Sequence, residues 1–332
     1  MDFIIVPLII AFLFGIAMGG SGIAPSFSTV FGAEFLNQKY IPWLFGIFVF
    51  LGALISGQNT TNTIANEIIS SKYLNTLIIS IILFSVFISI LIADIFGIPQ
   101  STSQSTVFSL VAASVYFHDF RESFVLVEIL PTWFIAPFIS FIMTFLLGKF
   151  IYKPLRKTGI TISAKVNNHF FTKGFLLLMA LYVSYSIGSN NVANAAGPVN
   201  SIITEKLHLN GNNSFTMLLS IIIISPGFGI GSALFSKKIL KNTGKEIYLF
   251  GRFEALIIAF VSGTILLLIS IFKGIPTSLV QLNVAAILGI GVAKLGIKNI
   301  FKKTQVNKFF LMWIISPIIS FSLTILLLTI LN

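Results

Sequence analysis

Long apolar segments separated by short polar ones make up most of the chain. The apolar segments fall at about 3–19, 41–56, 74–97, 101–117, 124–150, 173–189, 191–205, 213–235, 253–272, 275–293 and 308–331. Two stretches, Leu74 to Ile92 and Phe253 to Phe272, are apolar on every side and long enough to cross the ~30 Å hydrocarbon core of a bilayer as helices. Transmembrane barrel strands would instead alternate apolar and polar residues. The pattern therefore predicts a helical protein that crosses the membrane several times.

The composition agrees with a lipid environment. Hydrophobic residues make up 56% of the chain and charged residues only 9%, whereas a water-soluble domain is about a quarter charged. The net charge of +11 suggests nucleic acid, but the basic residues gather in a few loops between apolar segments, as in cytoplasmic loops. We expect a multi-pass protein of the cell membrane (plasma or inner) whose partner is the lipid bilayer and not nucleic acid.

The second half of the chain repeats the first. Three segments recur in order: 132–147 as 312–327, 97–107 as 274–284 and, more faintly, 18–28 as 187–197. The first of these pairs is identical at nine of sixteen positions. Repeats of this kind are typical of transporters. We divide the chain into a first transmembrane repeat at 1–150, a basic cytoplasmic linker at 151–172 and a second transmembrane repeat at 173–332.

Loop charge predicts that the two repeats have opposite orientations. Loops 236–252 and 294–308 each carry five basic residues, whereas the equivalent loops 56–75 and 117–124 carry only Lys72 and Arg121. The positive-inside rule places the second-half loops in the cytoplasm and their first-half equivalents outside. The predicted fold is an all-α polytopic membrane protein with two inverted-topology repeats, whose broken or re-entrant helices meet at the bilayer midplane. Both termini are then extracytoplasmic.

Four polar clusters interrupt the apolar segments, and they form two pairs under the repeat. Polar groups at membrane depth usually face the bundle interior or an aqueous cavity. A single Ser or Thr often bonds only its own helix, but dense and paired clusters favour binding. Two clusters follow Gly-Ile-Pro breaks and so begin a helix, where free N–H groups attract anions. The candidate substrate-binding residues are Ser21, Gly22, Ser101, Thr102, Ser103, Gln104, Asn190, Asn191, Asn194, Ser278, Gln281 and Asn283.

Two of these clusters resemble known signatures. The run from Ser189 to Pro198, SNNVANAAGP, resembles the GANDVANAxGP signature of the inorganic phosphate transporter (PiT) family. Gly-Ile-Pro-x-Ser-Thr at 97–102 resembles that family's P-x-S-T-T-H signature, and 275–284 is its repeat. The resemblance covers nearly the whole chain. It implies a secondary active transporter (permease) that imports a tetrahedral oxyanion by alternating access, coupled to an ion gradient.

The departures from the family pattern point to sulfate. Asn191 and Gly22 stand where the family has Asp, and Gln104 and Gln281 stand where it has His. These changes resemble the CysP-type sulfate permease branch. Sulfate has no proton to donate, so a carboxylate would only repel it, whereas neutral amides donate to it. Phosphate is the runner-up substrate, and thiosulfate and molybdate stay open.

Other functional classes fit less well. Loss of both Asp residues weakens the case for sodium, so we favour the proton as coupling ion, with Glu254, Glu128 and Asp94 as candidate carriers. The alternative for these three acids is an interfacial position or an ion pair. An anion channel would share the binding site but needs a continuous pore. No nucleophile with a base and no metal-ligand spacing is present, so we expect no enzyme, cofactor, catalytic residue or metal site. The oligomeric state stays open, with a homodimer as one option.

The loop charges predict a topology that labelling can check. We expect Lys72 and Arg121 outside and Lys157, Lys241 and Lys302 inside. The chain has no cysteine, so single cysteines can be introduced at these positions and tested with a membrane-impermeant thiol reagent. Labelling of positions 72 and 241 from the same side of the membrane would rule out the inverted repeat.

Overall fold

Helices account for all the regular structure in the described part of the chain. The computed structural model describes residues 4–32, 36–96, 100–152, 170–209, 213–243, 252–302 and 304–332. The first half contains α1 (Ile5–Gly32), α2 (Ile41–Ser56), α3 (Gln58–Asn66), α4 (Thr76–Phe96), α5 (Thr102–Tyr116) and a long α6 built from Glu122–Phe124, Val125–Ile129, Leu130–Leu146 and Leu147–Tyr152. The second half contains α7 (Phe170–Asn191), α8 (Ala193–Lys206), α9 (Ser214–Thr243), α10 (Arg252–Leu268, continued by Ile269–Lys273), α11 (Leu279–Leu295), α12 (Ile297–Phe301) and α13 (Thr304–Leu331).

Eight helical segments of the described chain are long and apolar enough to cross a membrane. Helix α4, for example, has 21 residues and therefore a length of about 32 Å. The prediction of an all-α polytopic membrane protein is confirmed. Of the predicted linker 151–172, residues 153–169 lie outside the described residues, so the domain division and the orientation of the halves stay predictions.

Helices α5 and α11, which follow the Gly-Ile-Pro segments, are both too short to cross a bilayer. Helix α5 has 15 residues and α11 has 17, which correspond to about 23 and 26 Å. The start of each helix is buried, at residues 100–107 for α5 and at residues 274–279 for α11. Both helices therefore begin inside the bundle, at the positions where the Gly-Ile-Pro segments predict a break.

Helices of the two halves interleave. Helix α1 packs most extensively on α9, and its counterpart α7 packs on α2, the counterpart of α9. In the same way α11 packs on α6, while α5 packs on α13. Each of these contacts joins a helix of the first half to a helix of the second half. Each also has an equivalent contact in which the two halves have exchanged places. The repeats are therefore sequence units that build one bundle together.

Hydrogen bonds repeat along with the sequence. The Ser320 hydroxyl on α13 donates to the Ser105 carbonyl oxygen on α5 at 2.8 Å. At the equivalent place, the Ser140 hydroxyl on α6 donates to the Leu282 carbonyl oxygen on α11, also at 2.8 Å. The same bond therefore links equivalent positions of the two halves.

The polar cluster at Ser21 and Gly22 lies inside the continuous helix α1, which also contains Pro25. The Ser21 hydroxyl donates to the Met18 carbonyl oxygen, and the Ser26 hydroxyl donates to the Gly22 carbonyl oxygen. Both hydroxyls are therefore bonded to their own helix. In the second-half cluster, α7 ends at Asn191 and α8 begins at Ala193, and Val192 between them keeps helical backbone angles.

Glycine permits the close crossing of α2 and α7. A side chain at Gly188 would collide with the Val49 backbone carbonyl, and one at Gly52 with the carbonyl of Tyr185. Beside this contact, the hydroxyls of Ser56 and Tyr185 are hydrogen-bonded at 2.6 Å. Helices in membranes associate through such small-residue contacts and interhelical hydrogen bonds.

This crossing predicts different effects for two glycines of the same helix. Gly188→Ala forces α2 and α7 apart and should lower the free energy of unfolding by about 1–3 kcal/mol. Gly174→Ala, where an added methyl meets open space, should be neutral or slightly stabilising because alanine favours helix. Thermal unfolding of the purified variants in detergent measures both. Equal midpoints for the two variants would contradict the close contact.

Candidate functional site

A small cavity lies where the four polar clusters meet. Its empty space, including the open mouth, is about 270 Å³. It is lined by Ser21, Gly22, Pro25, Gln100, Thr102, Ile187, Asn191, Ser278, Leu279 and Val280. Five of the predicted binding residues are therefore in its wall: Ser21, Gly22, Thr102, Asn191 and Ser278.

Two helix N-termini form part of the cavity wall. The Ser101 hydroxyl oxygen accepts from the Gln104 N–H and caps α5, and the Ser278 hydroxyl oxygen accepts from the Gln281 N–H and caps α11. The first N–H groups of each helix have no intrahelical acceptor and lie at the positive end of the helix dipole. Converging N-termini of this kind can bind an anion without any formal positive charge.

Gln104 and Gln281 bond to each other and are absent from the cavity wall. The Gln281 side-chain nitrogen donates to the Gln104 side-chain oxygen at 2.8 Å. These residues are equivalent under the repeat, so one bond joins the first turns of α5 and α11. The Ser103 hydroxyl adds a second link by donating to the Thr277 carbonyl oxygen at 3.2 Å. In this structure the glutamines fix the spacing of the two N-termini.

Asn190 holds the extended segment before α11. Its side-chain nitrogen donates to the Ser270 hydroxyl at 2.9 Å and to the Ile275 carbonyl oxygen at 3.0 Å. Its side-chain oxygen accepts from the Thr277 N–H at 2.8 Å. Because both ends of the amide are occupied by the protein, the structure gives Asn190 a positioning role beside the site.

Asn191 and Asn194 orient the hydroxyl group of Thr102. Their side-chain nitrogens lie 3.4 and 3.3 Å from the Thr102 hydroxyl oxygen, and Asn194 also donates to the Ser103 hydroxyl at 3.2 Å. With its oxygen accepting from two amides, Thr102 keeps its hydroxyl hydrogen for the cavity. Of the two asparagines, only Asn191 lines the cavity. Asn283, on α11, is not in the cavity wall, and its side-chain oxygen is buried without a hydrogen bond.

One polar residue of the described cavity wall, Gln100, was missed by the sequence reasoning. Gln100 precedes the cap of α5 and is 1% exposed. It occupies the variable position of the Gly-Ile-Pro-x-Ser-Thr segment, so the motif gave it no role. The available signal was its chemistry, since an amide beside a helix start at membrane depth needs a polar partner.

Among the described residues, no charged side chain lines the cavity. Glu254, 2% exposed, forms a buried ion pair with Lys294, which lies sixteen residues along α11 from Ser278 and so about 24 Å away. Glu128 pairs with Lys273 at 3.1 Å, with roughly half of each side chain exposed. The Asp94 side chain lies outside the described residues. In the described part of the chain, no three His, Cys, Asp or Glu residues gather closely enough to hold a metal.

Comparison with known proteins identifies the family. The sequence profile of the phosphate transporter family matches residues 18–324, which is nearly the whole chain. The chain belongs to the phosphate transporter family. The resemblance found in the sequence motifs is therefore confirmed. As a member of this family, the protein is a multi-pass membrane transporter and not an enzyme.

Two relatives align with nearly the full length of this chain. Sulfate permease CysP of Bacillus subtilis is 29% identical over 322 residues, which is 96% of this chain and 86% of the relative. A protein of Methanocaldococcus jannaschii, named as a candidate phosphate permease, is 27% identical over 316 residues, which is 94% of this chain and 93% of the relative.

A solved structure shares the fold. The chain described as the sodium-dependent phosphate transporter superposes with a TM-score of 0.84, covers 100% of both chains and is 20% identical in sequence. At this level of identity the likeness shows the architecture of the family and leaves substrate and coupling ion to the residues of the site.

Proposed function

We propose that the protein is a secondary active transporter that imports a tetrahedral oxyanion, with sulfate as the preferred substrate. The observation that carries the proposal is the cavity between the N-termini of α5 and α11, whose described wall residues are all neutral. Residues at the starts of both helices, including Thr102 and Ser278, line it together with Asn191. Preorganised donors in a site of low dielectric can replace the water around an anion.

The described residues of the wall include no carboxylate, which favours sulfate over phosphate. Phosphate near neutral pH retains a proton and can donate it to an acid, whereas sulfate only accepts. Gly22 and Asn191, both in the wall, occupy the two positions where the family signature carries Asp. The similarity to a sulfate permease over 96% of the chain supports the same choice. A phosphate transporter is the alternative, and the named phosphate permeases among the relatives support it.

Alternating access is the proposed transport mechanism. The site lies where short helices begin inside the bundle, and the main contacts between helices occur in pairs with the halves exchanged. An inverted repeat produces such pairs and allows one group of helices to move against another around a fixed site. A channel would need a continuous pore, so concentrative uptake that an uncoupler abolishes separates the two classes. In this proposal both termini are extracytoplasmic.

The proton is the proposed coupling ion, and Glu254 is its proposed carrier. Glu254 is buried against Lys294, so neutralising the carboxyl would break an ion pair between α10 and α11. Lys294 lies on α11, and the opposite end of α11 forms part of the site. Loss of the ion pair would therefore act on the bound anion through α11. The structural neighbour's name supports sodium, and uptake under imposed proton or sodium gradients decides between them.

Asn191→Asp should impair sulfate uptake severely. The substitution keeps the shape of the side chain but places a negative charge beside a dianion. Repulsion is roughly 4 kcal/mol per pair of unit charges at about 4 Å and an effective dielectric of ~20. Phosphate should suffer less, because it can donate its own proton to the carboxylate. Protonation of the new acid should relieve the sulfate defect in part at low external pH.

Uptake of labelled sulfate and phosphate by proteoliposomes, at about pH 5.5 and about pH 7.5, measures these effects. Asn213→Asp, at an asparagine outside the cavity, is the matched control. Native rates of sulfate uptake by Asn191→Asp at both pH values would show that Asn191 is not beside the anion. A native preference for phosphate would contradict the sulfate assignment and leave the transporter fold intact.

Glu254→Gln should abolish proton-driven accumulation but leave exchange of sulfate across the membrane, because an amide cannot take up a proton. Pairing it with Lys294→Gln avoids a buried uncompensated lysine, which would cost about 3–5 kcal/mol. Glu128→Gln, at the half-exposed pair, is the control and should accumulate sulfate normally. Proton-driven accumulation at the native level in the double variant would exclude Glu254 as the carrier.

A further inference from the structure

Gln100 is a buried amide with no bonding partner in the described protein. Both its side-chain nitrogen and its side-chain oxygen are inaccessible to solvent and form no hydrogen bond. Turning the amide over exchanges the two atoms without satisfying either, so the observation does not depend on how the group is oriented. Unbonded buried amides are costly. The side chain lies in the cavity wall, so a ligand of the cavity can supply its partner.

The equivalent residue of the other half is fully bonded. Under the repeat, Gln100 corresponds to Thr277. The Thr277 N–H donates to Asn190 at 2.8 Å, its hydroxyl donates to the Ile275 carbonyl oxygen at 3.1 Å, and its carbonyl accepts from Ser103. One helix start is therefore closed by protein groups, while the other leaves an amide unsatisfied. This asymmetry singles out Gln100.

Other polar groups in the wall are partly occupied. The Ser21 hydroxyl hydrogen is donated to the Met18 carbonyl oxygen of its own helix. The Asn191 nitrogen lies against Thr102, and the Ser278 oxygen caps α11. Gln100 is the side chain of the cavity wall that offers two free N–H donors, and it stands directly before the N-terminus of α5.

We propose that Gln100 is a direct ligand of the transported oxyanion, and that its amide N–H lets the site accept an anion that has no proton to donate. This inference rests on the proposed function of the cavity. The amide can present its nitrogen to a sulfate oxygen, or its oxygen to the hydroxyl of a protonated oxyanion. A carboxylate at the same position can only accept, so it could bind only the hydroxyl of a protonated oxyanion. The residue at position 100 therefore sets the substrate class as well as the affinity.

Gln100→Met tests the ligand role, because methionine has a similar length and no amide. Calorimetric titration of the purified full-length chain with sulfate should show affinity weakened by about 10-fold or more, as expected for a lost bond to a charged ligand. The ligand-free variant should unfold at the native temperature or above, since an unbonded amide has been replaced by an apolar group. Gln38→Met, at an exposed glutamine, should bind normally. Native sulfate affinity in Gln100→Met, or in the second apolar variant Gln100→Leu, would overturn the proposal.

Gln100→Glu tests the selectivity. The ratio of phosphate affinity to sulfate affinity should rise by about 10-fold or more relative to Gln100→Met, because only phosphate can donate to the carboxylate. An unchanged ratio would overturn the selectivity role. Binding measurements on the native protein distinguish failure of the proposed function from failure of the Gln100 proposal. If it binds neither sulfate nor phosphate, the proposed function fails; if it binds and all Gln100 variants match it, only the present inference fails.

Discussion

The hydrogen bond between Gln104 and Gln281 is the contact on which the site depends. It joins the first turns of α5 and α11, which come from different halves of the chain. Each helix is too short to span a bilayer and starts within the bundle, so its unpaired N–H groups lie at membrane depth. Because the N-termini of α5 and α11 are held together, the positive ends of the two helix dipoles act on the same small volume. Asn190 reinforces this arrangement by fixing the extended segment before α11.

A neutral site has a physical advantage for a transporter. Lysine or arginine beside a desolvated dianion would hold it tightly and slow its release. Amides, hydroxyls and helix termini instead replace water without adding a formal charge. The paired charges of the described helices are kept elsewhere, with Glu254 and Lys294 at the far end of α11 and Glu128 and Lys273 partly exposed. In the proposed mechanism, anion binding and proton coupling are therefore located at opposite ends of α11.

The sequence predicted the architecture well because lipid allows few alternatives. Apolar length sets the spans, and the Gly-Ile-Pro segments mark where α5 and α11 begin. Sequence could not predict which polar residues face the ligand, because an amide looks the same whether it bonds protein or anion. Gln104 and Gln281 were expected in the cavity and bond each other instead. Gln100 was passed over as a variable motif position.

In the proposed site the oxyanion lies between two helix starts and is held by neutral groups. A crystal structure of the protein with selenate, a heavier analogue of sulfate, locates the anion because selenium scatters anomalously. We expect one strong anomalous peak in the cavity, within hydrogen-bonding reach of Thr102, Asn191 and the first N–H groups of α11. A peak beside surface lysines, with the cavity empty, would contradict it.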